Sequence, residues 1–137
     1  YSERLLPLAD VITPNLDEAA ALLGEPVRAA DEMADAARAL AARYHCAVLL
    51  KGGHLEGDTA ADVLCAGGEC RRYEAPFRRN VSTHGTGCTL AAAITAGLAL
   101  GQTLAQAAEQ AKAYVSRAVD GMHCWRRGAT PTMALRH

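Results

Sequence analysis

The sequence predicts an α/β fold around a mostly parallel sheet, on three observations. A short β-branched strand, "ADVITP", ended by Pro14, is followed by helical patterning. The continuous apolar run "CAVLLKGG" comes next, of the kind carried by a strand buried on both faces. Because helices connect these two strands, they should lie parallel. Finally, "ADVLCAGG" and "ECRRYEAPF" read as two strands joined at Gly67-Gly68, a two-residue hairpin loop.

The elements follow in order. "LDEAAALLG" is a helix closed by Gly24, and a second runs from Asp31 to about Tyr44. In that second helix Met33, Ala36, Ala37, Leu40, Ala41 and Tyr44 form one apolar stripe at helical spacing. After the hairpin, a helix from about Gly87 to Leu100 is ended by Gly101. The next, from about Leu104 to Asp120, opens on a Thr103/Gln106 capping box. The tail "GMHCWRRGATPTMALRH" is expected to be a loosely packed terminus, and its adjacent His123 and Cys124 make a poor metal pair.

Composition narrows the function. The chain has 137 residues, 50% of them hydrophobic, and 14 basic residues balance 15 acidic ones for a net charge of -1. That suits one ordinary domain with a real core. Arg71-Arg72, Arg78-Arg79 and Arg126-Arg127 are short, separated pairs, so no nucleic-acid stripe is expected. No apolar run approaches the ~20 residues that span a bilayer, and no leader pattern opens the chain, so a cytoplasmic protein without membrane contact is expected. Five cysteines, with no C-x-x-C among them, indicate neither a disulfide framework nor a zinc knuckle. The hairpin sets Cys65 opposite Cys70, where cytosolic conditions should keep two facing thiols reduced.

Three places offer chemistry. In "NVSTHGTGCTLAAAI" a glycine-rich turn enters a helix N-terminus, where backbone N–H groups and the helix dipole suit phosphate or a developing oxyanion. Gly85 and Gly87 allow close approach. Equally, they turn the chain while Thr86 caps the helix. Cys88 falls in the first turn, a position that favours a thiolate nucleophile or proton acceptor; a small buried hydrophobe is the plainer alternative. In "TPNLDEA", Asn15 and Glu18 fit a helix cap, while a glutamate at a strand's carboxyl end also suits a hydrated Mg2+ beside phosphates. Lys51 leaves the buried strand into Gly52-Gly53, where its charge would neutralise phosphate oxygens or simply be solvated. All three fall at equivalent ends of elements, which favours one phosphate site.

"PLADVITPNLDEAAALLG", "VLLKGGH" and "STHGTGCTLAAAI", in this order, closely resemble the C-terminal half of bacterial hydroxymethylpyrimidine/phosphomethylpyrimidine kinases of the ribokinase-like superfamily, to about Val119. The resemblance implies a three-layer α/β/α kinase using ATP and Mg2+ to phosphorylate a hydroxymethylpyrimidine twice in thiamin biosynthesis. It implies that residues 1–137 are the C-terminal half of a single such domain, and that relatives commonly form homodimers. It implies that Asn15 and Glu18 serve phosphates and metal, that Lys51 serves the ATP phosphates, and that Gly85, Thr86, Gly87 and Cys88 form the anion hole. Cys88 would stand where related sugar kinases place an aspartate base. Ser82 departs from the family's more usual asparagine, and the tail matches the family's usual glycine- and histidine-rich ending poorly, so no residue roles are carried over to it. A pyridoxal kinase and a non-catalytic nucleotide-binding module are the alternatives.

Overall fold

β1 (Val11–Ile12) and β2 (Ala47–Lys51) pair in parallel, with Val11 beside Ala47 and Ile12 beside Val48. Their connection runs through α1 (Leu16–Leu23) and α2 (Glu32–Tyr44), the crossover that the patterning predicts. The computed structural model describes residues 3–53, 58–79, 85–126 and 131–137. These fall into two units, Tyr1–Phe77 and Arg78–His137.

In the first unit, β2 pairs antiparallel with β3 (Thr59–Ala66), and β3 pairs antiparallel with β4 (Glu69–Pro76), in the order β1-β2-β3-β4. The sheet within this chain is therefore mixed. Its hairpin turn holds Gly67 at φ 58° and Gly68 at φ 86°. Two successive positive φ angles are what a type I′ turn requires, and the twist of that turn matches the strands it joins. The core lies between the sheet and α2, where Met33, Ala37, Leu40, Val48 and Leu50 are fully buried. Ala41, assigned to the same stripe, is only partly buried.

The hairpin register places Cys65 opposite Cys70 as predicted, with Cα atoms 4.2 Å apart. The structure joins them as a disulfide, which corrects the expectation of two free thiols. The physical reason is local. Ala66 and Glu69 close the turn, so the next pair out is a non-hydrogen-bonded one, whose Cα atoms sit ~4.5 Å apart with side chains close. Cys46, Cys88 and Cys124 are free.

In the second unit, α3 (Thr86–Ala99) and α4 (Leu104–Asp120) pack as an antiparallel pair through Leu90, Ile94, Ala107, Ala108 and Ala111. The approach is close at Gly97, where an added Cβ would lie 2.9 Å from Cβ of Ala107. The Thr103/Gln106 capping box is present in both directions. The tail corrects the expectation of a loose terminus. β5 (His123–Arg126) and β6 (Pro131–Ala134) pair as a small antiparallel hairpin. The Arg136 N–H donates to the carbonyl of Ala118 at 3.2 Å, tying the end of the chain to α4. At the same end of α4 Arg78 pairs with Asp120 at 2.5 Å, and the guanidinium holds that carboxyl below its usual range. Among the described residues no helix is long and apolar enough to cross a membrane.

Leu40→Ala should leave a cavity between α2 and the sheet that collapses incompletely. The expected loss is about 2–5 kcal/mol, read as a lower urea midpoint at unchanged slope.

Candidate functional site

The carboxyl ends of β1 and β2 are joined by backbone. After β1 the chain turns at Pro14, whose carbonyl accepts the Lys51 N–H at 2.8 Å, and Asn15 and Lys51 form a parallel bridge beyond the strand. Two of the three sequence-predicted places thus come together in the first unit, at the sheet end where open α/β folds bind ligands.

Asn15 is the N-cap of α1, in extended conformation. Its Oδ1 accepts the Glu18 N–H at 2.7 Å, and Glu18 Oε2 accepts the Asn15 N–H at 2.7 Å. The capping box is therefore real and fixes both side chains at the strand end. Such a box does not exhaust a carboxylate, which offers about four lone-pair sites. One carboxylate fits a hydrated Mg2+ that takes its other ligands from phosphates and water. It does not fit a metal held by protein alone, and among the described residues no group of three or more His, Cys, Asp or Glu side chains is placed to hold one.

Lys51 is half-buried and, among the described residues, pairs with no carboxylate. The next residue is held hard. The Gly52 N–H donates to the Ala61 carbonyl at 2.9 Å and reaches Oδ1 of Asp62 at 3.2 Å. A Cβ on Gly52 would lie 2.5 Å from the Ala61 carbonyl oxygen and 2.6 Å from the Met33 sulfur. Only glycine fits there. Asp62, 6% exposed, is a residue that sequence reasoning missed. The available clue was one acidic residue inside the apolar strand "ADVLCA".

The third place lies in the second unit. Gly85, at φ 88°, is the N-cap of α3, and no side chain caps the helix. This corrects the alternative in which Thr86 is the cap, since Thr86 already lies in the helix. The Thr89 N–H closes the first turn on the Gly85 carbonyl at 2.9 Å, with Thr86, Gly87 and Cys88 between them. That turn carries no acidic residue, so nothing in it offsets the positive helix end. Cys88 is exposed with a free thiol, which excludes the buried-hydrophobe alternative. Ser82 and His54 lie outside the described residues.

The first unit thus carries a lysine and a fixed carboxylate at its strand ends, and the second a glycine-capped helix start. Comparison with known proteins gives the family. The family model described as phosphomethylpyrimidine kinase matches residues 1–133, and the chain belongs to that family. It is 49% identical over 116 residues to a hydroxymethylpyrimidine/phosphomethylpyrimidine kinase of Streptomyces coelicolor, covering 85% of this chain and 43% of that protein. The kinase of the same name from Rhizobium meliloti is 48% identical, over 86% of this chain and 45% of that protein. A pyridoxal kinase structure from Staphylococcus aureus superposes with TM-score 0.85 at 33% identity, covering 98% of this chain and 49% of that one. A phosphomethylpyrimidine kinase structure from Clostridium difficile gives 0.68 at 34% identity, over 84% of this chain and 45% of that one. The chain thus spans about half the length of the relatives it matches.

Gly52→Ala should displace the Lys51–Gly52 backbone, because the obstructing atom at 2.5 Å is a carbonyl rather than a flexible side-chain tip. The expected cost is about 1–3 kcal/mol in chemical denaturation, whereas Gly24→Ala, which meets nothing within 4 Å, pays only for its left-handed backbone.

Proposed function

We propose that the protein to which this chain belongs is an ATP-dependent phosphotransferase of thiamin biosynthesis. In this reading it phosphorylates 4-amino-5-hydroxymethyl-2-methylpyrimidine and then converts the monophosphate to the diphosphate. The observation that carries the proposal is the 49% and 48% identity to two kinases of that name, within a chain whose family match, residues 1–133, includes all three motifs. The convergence of Asn15, Glu18 and Lys51 at one strand end supports it. Residues 1–137 are read as the C-terminal half of one kinase domain, working in the cytoplasm, with the whole enzyme a homodimer.

The residue roles follow from charge. Lys51 neutralises oxygens of the ATP phosphates, and Asn15 orients them. Glu18 would hold Mg2+ through water, and the ion would supply further neutralisation of the phosphate charge. The amides of Gly85, Thr86 and Gly87 would stabilise anionic oxygens of the group in transfer. Cys88 accepts the proton of the substrate hydroxyl. Phosphoryl transfer passes through a loose transition state in which positioning and neutralisation dominate, so a modest base suffices.

A second reading, pyridoxal kinase, is favoured by the fold match alone. Structures of the Staphylococcus aureus enzyme hold an ATP analogue with pyridoxal, and that substrate also carries a hydroxymethyl group on an aromatic ring.

Incubating the full-length enzyme with ATP, Mg2+ and the hydroxymethylpyrimidine should give, by 31P NMR, a monoester signal followed by a diphosphate ester. Turnover with pyridoxal and none with the pyrimidine would move the assignment to the second reading. The second nucleophile is a phosphate monoester already largely ionised at neutral pH. Cys88→Ala should therefore slow the first step at least about tenfold more than the second in single turnover, and equal losses would remove the base role.

A further inference from the structure

The hairpin cysteines lie away from the strand end that carries Lys51. The register runs from Lys51 opposite Asp62 to Val48 opposite Cys65, so Cys65 sits at the other end of β2 from the lysine. Cys65 is 1% exposed and faces α2, whereas Cys70 is partly buried on β4, the strand that ends the sheet order, two residues beyond the exposed Gly67-Gly68 turn. The two sulfurs lie 3.8 and 3.9 Å from the Ala34 carbonyl oxygen of α2. When the bond is broken, one carbonyl oxygen therefore stands within reach of either new S–H, and the strand pairing that sets the register does not depend on the bond. Both redox states fit the same hairpin. A cavity of about 660 Å3, lined by Arg38, His45, Cys46, Cys65 and the Gly67-Gly68 turn, adjoins the pair. Its volume lies in the range of small-molecule sites.

We propose that Cys65 and Cys70 are a reversible dithiol–disulfide site, opened and closed by low-molecular-weight thiols and their disulfides, that clasps the β3–β4 hairpin. In reduction, the thiolate of an external thiol attacks Sγ of Cys70, the more accessible sulfur. The Cys65–Cys70 bond breaks, and Cys65 leaves as a thiolate that takes up a proton. A second external thiol attacks the mixed disulfide on its external sulfur and frees the Cys70 thiol. Two electrons pass from two external thiols to the protein, and one external disulfide is formed. Oxidation is the reverse. Intracellular disulfides are usually transient or redox-sensing, which is the behaviour that a bond compatible with both states allows. Cys46 borders the same cavity, but burial pushes its thiol up, so it is a poor competitor for the exchange.

The test equilibrates the full chain anaerobically in reduced and oxidised glutathione of graded ratio, then quenches with acid, alkylates and maps peptides by mass. The expected result is a linked 65–70 species at the oxidising end and two alkylated thiols at the reducing end. The linked-to-open ratio should change tenfold for each ~30 mV, as a two-electron couple demands. Amides of β3 and β4 should exchange at least about tenfold more slowly in the linked form. Cys65→Ser should abolish the linked species and leave Cys70 alkylated or carrying glutathione. Cys70→Ser, at the less buried position, does the same if the first variant fails to fold. Two alkylated thiols at every ratio would overturn the proposal, as would a bond that survives the most reducing buffer. Unchanged amide exchange between the two forms would overturn the clasp.

Discussion

The first unit is organised around the backbone at Lys51 and Gly52. Three strands meet there: β1 through the Pro14 carbonyl that accepts the Lys51 amide, β2 itself, and β3 through the Ala61 carbonyl and Asp62 carboxylate that take the Gly52 amide. Ordinary ladder bonds contribute about 1 kcal/mol each, but a buried amide left unpaired costs more than a paired one contributes. The convergence therefore sets position more than stability. It fixes where β1 ends, hence where α1 begins, hence where the Asn15–Glu18 box stands relative to Lys51. The close packing of Met33 and Ala61 around Gly52 leaves no room for that backbone to shift.

Much of this was legible in the sequence because the cues are local. Gly67-Gly68 specifies its own turn, S/T/N caps three residues before Glu or Gln specify helix starts, and a buried strand reads as an unbroken apolar run. α2, α4 and both hairpin strands appear within a residue or two of where patterning put them. What escaped depends on contacts distant in sequence. Asp62 is buried only because β3 lies against β2, a pairing that no residue near it in sequence specifies. Nothing in "GTGC" says whether Gly85 or Thr86 is the cap, because that depends on the φ angle of one residue. The β5–β6 hairpin carries Trp125, and Pro131 opens β6, with no glycine pair in the intervening sequence to announce it.

In the second unit, residues that serve packing are set apart from a helix start that packing does not explain. α4 is amphipathic and explains itself, with alanines toward α3 and charged residues outward. α3 is apolar nearly all round and exposes Ala92, Ala96 and Leu100, a pattern that a solvated surface helix does not require. At its start the physical demand changes. A left-handed glycine, a helix end without a side-chain cap and an exposed thiol are costly or neutral for stability, and each is useful to an anion. Local rules of stability fail most readily where a sequence is serving a ligand.

The central claim is that the strand ends around Lys51 and Gly52 bind nucleotide phosphates, and backbone NMR of the full chain titrated with ADP, with and without Mg2+, tests it most directly. The account predicts amide shifts at Asn15, Glu18, Lys51 and Gly52 that saturate together, enlarge when Mg2+ is present and vanish in Lys51→Ala, while Gly67 and Gly68 stay still. Saturable shifts confined to other residues, or binding that is indifferent to Lys51, would contradict it.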